Sequence, residues 1–328
     1  MSHELTTRAN GQVEFAYLER DGMPWHGPGT AMQPGQSIDE WRKAAGMDWA
    51  IRRAKVRYPT NPLAVDDAST YVEIPDSHVL MRSDTHAPLG IVSDKYKVVQ
   101  PAEVMGFFRD IAHSGGLELS AAGTIYGGKR FWATAKFGEA APASIGDKLQ
   151  GFLLISTSAD GSLATDVRRV TERVVCRNTL AIALRQGEAS AVRVSHRSEF
   201  DPEKVKQYMG LNNLVFESFV QKLEALANTD LRLEQAENMA VSVFGGEQDK
   251  VRSSAGFGKV MELFAGKGLG AKLDGVYGTR YGLLQGFTEY ADHWARTRSA
   301  ENRFVSAQWG PGALLKQRAF EVLAADLA

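Results

Sequence analysis

Two apolar stretches that each fold back on a glycine most constrain what this chain can become. "LELSAAGTIYGGKRFWATAKF", residues 117–137, turns at Gly127-Gly128, and "LQGFLLISTSADGSLATDVRRV", residues 149–170, turns at Asp160-Gly161. Gly-Gly and Asp-Gly between apolar, β-prone runs are hairpin signals, because both dipeptides accept the positive φ of tight antiparallel turns. Antiparallel strands are therefore predicted here, and the rest of the chain has to be fitted around that sheet.

Upstream, residues 1–36 read as an irregular arm, because "MPWHGPGTAMQPG" is rich in Gly and Pro. Ser37 with Glu40 three residues on has the form of a capping box, opening the short helix "IDEWRKAAG". "WAIRRAKVRY", "YVEIPDSHVLMR" and "PLGIVSDKYKVV" read as strands, and Pro101 with Glu103 opens the helix "AEVMGFFRDIAHSGG". Downstream, residues 171–185 are apolar in nearly every direction at 100° per residue, which predicts a buried helix of about 15 residues. After residue 200 the spacing is helical. The expected organisation is an N-terminal arm over 1–36, an α+β core over 37–200 and an all-helical C-terminal region over 201–328.

At 328 residues, 44% hydrophobic and 23% charged, the chain has the balance of a soluble protein with a sizeable core. Cys176 is the single cysteine, which excludes an intrachain disulfide. "MSHELTTRANGQ" lacks an apolar signal core, and no apolar run approaches the roughly 20 residues of a membrane span. The host-cell cytoplasm is the expected location, with no membrane partner. The seven histidines contain no HxxxH pair, and one cysteine cannot build a structural zinc site. No GxSxG elbow is present. "AGKGLGAKL" fails the GxxxxGK[ST] phosphate-loop spacing and reads as a flexible loop. No metal, cofactor or enzymatic activity is expected.

The charge is unevenly placed. Residues 168–197 hold seven arginines (168, 169, 173, 177, 185, 193 and 197) and two acids, whereas residues 198–250 hold ten acids and five bases. On a helix, Arg173 and Arg177 fall one turn apart on one stripe, with Arg169 just before it. Taken singly, each arginine fits a side chain that snorkels to the surface or pairs with Asp160 or Asp166. Taken together, the stripe fits a groove for an anionic backbone, since Arg is always charged and binds phosphate bidentately. The upstream hairpin adds Lys129 and Arg130 beside Phe131 and Trp132, and alternating cations and rings suit single-stranded nucleic acid. Read plainly, the same strand turns Phe131 and Ala133 to the core and Trp132 and Lys136 to solvent.

Five motifs in order resemble the phage/plasmid-like protein family of unknown function, found in bacteriophages, plasmids and integrated elements. They are "PWHGPGT", "VSDKYKVVQPAEVMGFF", "STSADGS" with "RVVCRNTLAIAL", "GTRYGLLQGFTEYADH" and "WGPGALLKQRAFEVL". Pro28 and Gln285-Gly286-Phe287 depart from the family's usual residues. A hairpin turning on Asp-Gly, then a strand and an Arg-bearing helix, is also similar in pattern to the core of single-strand annealing proteins, the RecT, Redβ and eukaryotic Rad-type group. That likeness implies an antiparallel sheet packed on a long helix, a basic groove, and rings or filaments that hold single-stranded DNA.

The leading expectation is a phage or mobile-element protein that binds and anneals single-stranded DNA, or RNA, in ATP-independent recombination. It would be a homo-oligomer, with a phage exonuclease as a candidate partner. Arg168, Arg169, Arg173, Arg177, Lys129 and Arg130 would contact phosphates, with Lys136, Arg185, Arg193 and Arg197 in the same basic surface. Trp132 and Tyr126 would stack on bases. A second reading is a non-enzymatic assembly or host-interaction (anti-defence) protein whose basic block meets an acidic partner. A hydrolase or nuclease using Asp160, His196 or His293 ranks last, since no ligand spacing supports it.

Overall fold

The computed structural model describes residues 6–21, 29–60, 71–114, 116–173, 179–181, 191–194 and 212–327. The first elements are two short strands, β1 (Phe15–Leu18) and β2 (Thr30–Met32), followed by helix α1 (Ile38–Ala44). The capping box opens α1 as its residues require: Ser37 Oγ accepts from the Glu40 amide, and the Glu40 carboxylate accepts from the Ser37 amide at 2.7 Å. Strands β3 (Ile51–Pro59), β4 (Tyr71–Arg82) and β5 (Pro88–Ser93) then form a small antiparallel sheet in that order. Helix α2 (Pro101–Ser114) follows.

The two glycine hairpins form as expected. β6 (Leu119–Ile125) pairs with β7 (Arg130–Ala140), and β8 (Leu149–Ser158) pairs with β9 (Thr165–Arg173), all antiparallel. With β10 (Thr179–Ala181) and β11 (Ala191–Val194) both alongside β9, the main sheet runs β10-β9-β8-β7-β6-β1-β2. The C-terminal part is helical: α3 (Asn212–Ala227), α4 (Leu233–Phe244), α5 (Gln248–Arg252), α6 (Ala255–Glu262), α7 (Arg280–Glu289), α8 (Ala300–Trp309) and α9 (Pro311–Ala324). One-turn π-helices extend α6 over Leu263–Lys267 and α7 over Tyr290–Trp294. The architecture is thus α+β, with antiparallel sheets and a helical C-terminal part.

Strand alternation sends side chains into two cores. On one face Phe131, Ala133, Leu153 and Ile155 meet Met105 and Phe108 of α2 and Trp41 of α1. On the other, Trp132, Phe152 and Leu154 meet Phe15, Tyr17 and Phe304 of α8. Every residue of β8 is buried, as expected of a strand covered on both sides. A third core, among the helices, includes Phe219, Tyr281, Phe287 and Phe320. It reaches the sheet through Phe137, whose ring meets Phe216 edge-on at 5.7 Å.

Three expectations are corrected. The N-terminal arm is not wholly irregular: β1 lies inside the main sheet between β6 and β2, with Phe15 and Ala16 fully buried. Four apolar residues beside a Gly/Pro-rich stretch are too short a signal to stand out in the sequence. The segment expected to be a long helix over 171–185 is strand wherever it is described, through Arg173 in β9 and over Thr179–Ala181 in β10; the rest of it lies outside the described residues. An apolar run without clean periodicity fits a buried strand as well as a buried helix, and ladder partners on both sides of β9 decided it. Finally, Trp132 does not face solvent, because α8 covers the second face of the sheet.

Candidate nucleic-acid interface

Those of the residues singled out in the sequence whose side chains are described do not converge on one groove. Arg168 is 7% exposed and grips Asp166 bidentately, Nε to Oδ1 at 2.5 Å and Nη2 to Oδ2 at 2.7 Å, while Nη1 donates to the Gln308 carbonyl at 2.6 Å. It ties β9 to α8 rather than facing a ligand. Arg169 is buried and already engaged. Arg173 ends β9 in backbone register with Leu149 of β8, and Arg193 of β11 stands in backbone register with Asp166 of β9. Arg177, Arg185 and Arg197 lie outside the described residues. Trp132 is 3% exposed, stacked at 5.6 Å on Phe15 and packed on Phe304, so it offers no face to a base. Lys136 pairs with Glu139 at 2.7 Å, and this bond, with a second from Gln150, holds the Glu139 carboxyl down at about 2.

Lys129, Arg130 and Tyr126 remain together on the β6–β7 turn. Tyr126 adopts a positive φ of 56°, donates its hydroxyl to Asn302 Oδ1 at 2.6 Å and lies under the Arg130 guanidinium, 5.5 Å from the ring centre. The turn is anchored from below. Gly128 has φ +92°, and a Cβ there would sit 2.5 Å from the Trp49 ring, so only glycine lets this turn lie on the residue that leads into β3. Arg82, at the end of β4, donates to the Gly127 carbonyl at 3.1 Å and stacks on Trp49 at 4.3 Å. The neighbouring Asp160-Gly161 turn packs on Gly90 of β5, and Tyr96 donates to Ala159 at 3.0 Å. Both hairpin turns of the main sheet therefore seat the β3-β4-β5 ribbon.

That ribbon carries the cations. β3 reads Ile51-Arg-Arg-Ala-Lys-Val-Arg-Tyr-Pro59, with Arg52, Arg53, Lys55 and Arg57 all exposed. No residue of Lys55–Pro59 or Tyr71–Val79 is buried, so the outer half of the ribbon stands off the core, with Tyr58 49% exposed. Lys95 and Lys97, just after β5, are exposed too. Arg53 is committed locally, its Nη2 donating to the carbonyls of Ser93 and Tyr96 at 3.1 and 3.0 Å. Lys55 and Arg57 share Glu73, at 2.9 and 2.6 Å, and both hold its carboxyl below the usual range. Arg52, Lys95, Lys97 and Lys129 have no ion pair among the described residues. The basic run of β3 is visible in the sequence, but what joins it to Lys129, some seventy positions away, is the Gly128–Trp49 contact.

In the loop of "AGKGLGAKL", Glu289 Oε2 accepts from the Leu269 amide at 2.8 Å, so a carboxylate of the protein itself occupies the place an anion would take. No group of three or more His, Cys, Asp or Glu that could hold a metal ion occurs among the described residues, and none of their helices is long and apolar enough to cross a membrane.

Fold and surface together define an α+β scaffold that presents a cationic β-ribbon at one end of its main sheet. The family described as "Domain of unknown function (DUF932)" matches residues 88–309, more than half of the chain, and the chain belongs to that family. The match begins at β5 and ends with α8, leaving β3 and β4 ahead of it. No curated protein and no solved structure matches.

Proposed function

We propose that this protein binds single-stranded nucleic acid, DNA in the first instance, and promotes annealing of complementary strands without nucleotide hydrolysis, as a phage or mobile-element recombination protein would. The observation that carries this reading is the meeting of the β3 cations, Lys95 and Lys97 with Lys129 and Arg130 at one end of the sheet. Arg52, Lys95, Lys97 and Lys129 are exposed and without an ion pair among the described residues, which suits contact with a phosphate backbone, while Tyr58 offers a ring. Binding draws on counterion release, so it weakens steeply with salt.

The test is fluorescence anisotropy of a labelled single strand of about 40 nucleotides at low and physiological salt, with duplex as competitor. Each phosphate contact contributes roughly 0.7 to the slope of log K against log salt for single strands. Replacing Arg52, Lys95, Lys97 and Lys129 with alanine should flatten the slope by up to about 3 and weaken binding at least tenfold. Glu73→Gln should act in the opposite sense, tightening binding two- to fivefold by freeing Lys55 and Arg57, with little change in stability because the pairs are exposed. Unchanged affinity in the quadruple variant would refute the ribbon assignment.

The second reading, a protein-binding surface, draws on the exposed acids of α3, α4 and α5 and the segments beside them: Glu217, Asp230, Glu234, Glu247 and Asp249. A basic ribbon and an acidic face on one chain suit a heterologous contact between copies. It predicts salt-sensitive oligomers, measured by light scattering, that form without nucleic acid and have no affinity for it.

A further inference from the structure

The ribbon is rich in cations but poor in rings, and Trp132 is buried. An exposed tryptophan lies elsewhere, on the π-turn that ends α7. Trp294 is 47% exposed, and Lys259 Nζ stands 3.6 Å from its ring centre. The ring is held in place: its Nε1 donates to Glu289 Oε1 at 3.2 Å, and Glu289 is itself buried. The wider π-turn lets Asp292 point inward to Lys316 while Trp294 points outward. Such turns are rare and recur at functional sites.

The residues that follow continue the pattern. From Ala295 to Arg298 the chain is non-helical, and exposure alternates from Trp294 onward: Trp294, Arg296 and Arg298 are exposed, Ala295 and Thr297 partly covered. The segment is fixed rather than loose. The Ala295 amide donates to the Tyr290 carbonyl at 2.7 Å, Arg303 Nε donates to the Ala295 carbonyl at 3.2 Å, and the Thr297 hydroxyl donates to the Ser299 carbonyl at 2.8 Å. It then enters α8, where Asn302 accepts from the Tyr126 hydroxyl at 2.6 Å, on the same turn that carries Lys129 and Arg130. The segment thus leads directly to the turn that meets the ribbon. Among the described side chains the acids nearby are spoken for: Glu262 by Lys259 and Lys267, Glu289 by Trp294 and Leu269, Asp292 by Lys316.

We propose that Trp294, Arg296 and Arg298 form the base-stacking end of the strand-binding surface, Trp294 stacking on a base and the two arginines contacting the flanking phosphates. This rests on the nucleic-acid reading above and adds to it the stacking site that Trp132 does not provide. The fixed indole stacks on any base, which suits binding without sequence preference.

The experiment compares full-length wild type with Trp294→Ala and Arg296→Ala/Arg298→Ala, using labelled (dT)40 and an abasic deoxyribose-phosphate strand of equal length. Trp294→Ala should weaken (dT)40 binding roughly tenfold, the size of one lost stack, leave the salt slope unchanged and bind the abasic strand as wild type does. The double arginine variant should flatten the salt slope by about 1.4 on both strands. Wild-type affinity of Trp294→Ala for (dT)40 would overturn this site while leaving the ribbon intact. Equal losses on (dT)40 and the abasic strand would also overturn it, since stacking needs bases. No binding of (dT)40 by wild type at low salt would overturn both the site and the reading beneath it.

Discussion

Arg82→Met is expected to destabilise the protein by about 3–5 kcal/mol, lowering the melting temperature by roughly 10 °C. Arg82 is a buried hub. Its Nη1 and Nη2 donate to the two oxygens of Glu14 at 3.1 and 2.6 Å, and Nε and Nη2 donate to Asp84 at 3.0 and 2.8 Å. Glu14 is fully buried and also accepts from Arg8 at 3.1 Å and from the Thr124 hydroxyl. Removing the guanidinium strands the Glu14 carboxylate in the core beside β1 with much less positive charge to hold it. That cost, rather than the worth of the pair itself, dominates. Arg82→Lys should not rescue, because one ammonium cannot span both carboxylates as the planar fork does. Glu14→Leu combined with Arg82→Met should recover most of the loss. Thermal unfolding followed by circular dichroism measures all three. A single variant that melts within 2 °C of wild type would contradict the account. Because Arg82 also holds the Gly127 carbonyl and Trp49, its loss should uncouple the ribbon from the β6–β7 turn and weaken strand binding too.

Lys316→Met should cost a similar amount, by the same logic in the other half of the molecule. Lys316 is 2% exposed and donates to Asp292 Oδ1 at 2.6 Å, the ion pair fastening α9 to the π-turn below Trp294. Burial pushes the Lys316 ammonium below its usual range; Asp292 opposes the shift, and the positive charge of Arg168 adds to it. A lysine whose native pKa is depressed releases its proton in the folded state before the unfolded chain does. Between the native value and the unfolded one, near 10.4, the unfolded state binds more protons, so stability rises with pH across that window. The melting temperature of wild type relative to Lys316→Met should therefore climb as pH approaches about 10. A pH-independent difference would show that the pair titrates as it does in the unfolded chain. Lys316→Met with Asp292→Leu should restore stability at all pH values.

How much of this was legible depended on whether a signal was local. The Gly127-Gly128 and Asp160-Gly161 turns, the Ser37–Glu40 capping box, and the helix opened by Pro101 each follow from a few adjacent residues, and each formed where expected. The continuation of strand past residue 170 was not legible, since the end of β9 and Thr179–Ala181 of β10 lie in an apolar run that satisfies a helical and a buried-strand reading equally. On a helix the arginines of that run would share one stripe. On a strand, Arg168 and Arg169 point to opposite faces, and Asp166, two residues away on the same face, claims Arg168. The burial of Trp132 is illegible for a related reason: nothing in "GGKRFWATAKF" reveals that α8, some 170 residues later, closes over it.

The sequence by itself determined the class of this protein, an α+β chain with hairpin-built antiparallel strands and a helical C-terminal part, because turn chemistry and side-chain periodicity are short-range properties of the chain. Only the tertiary structure decided which charged and aromatic groups meet a ligand and which are consumed in holding the fold. That choice is set by what lies across each face: Phe304 over Trp132, Gln308 and Asp166 around Arg168, and open space beside Arg52, Lys129 and Trp294. A cation serves as a binding group only where folding has left it exposed and without a carboxylate, and that is a property of pairs of residues far apart in the chain.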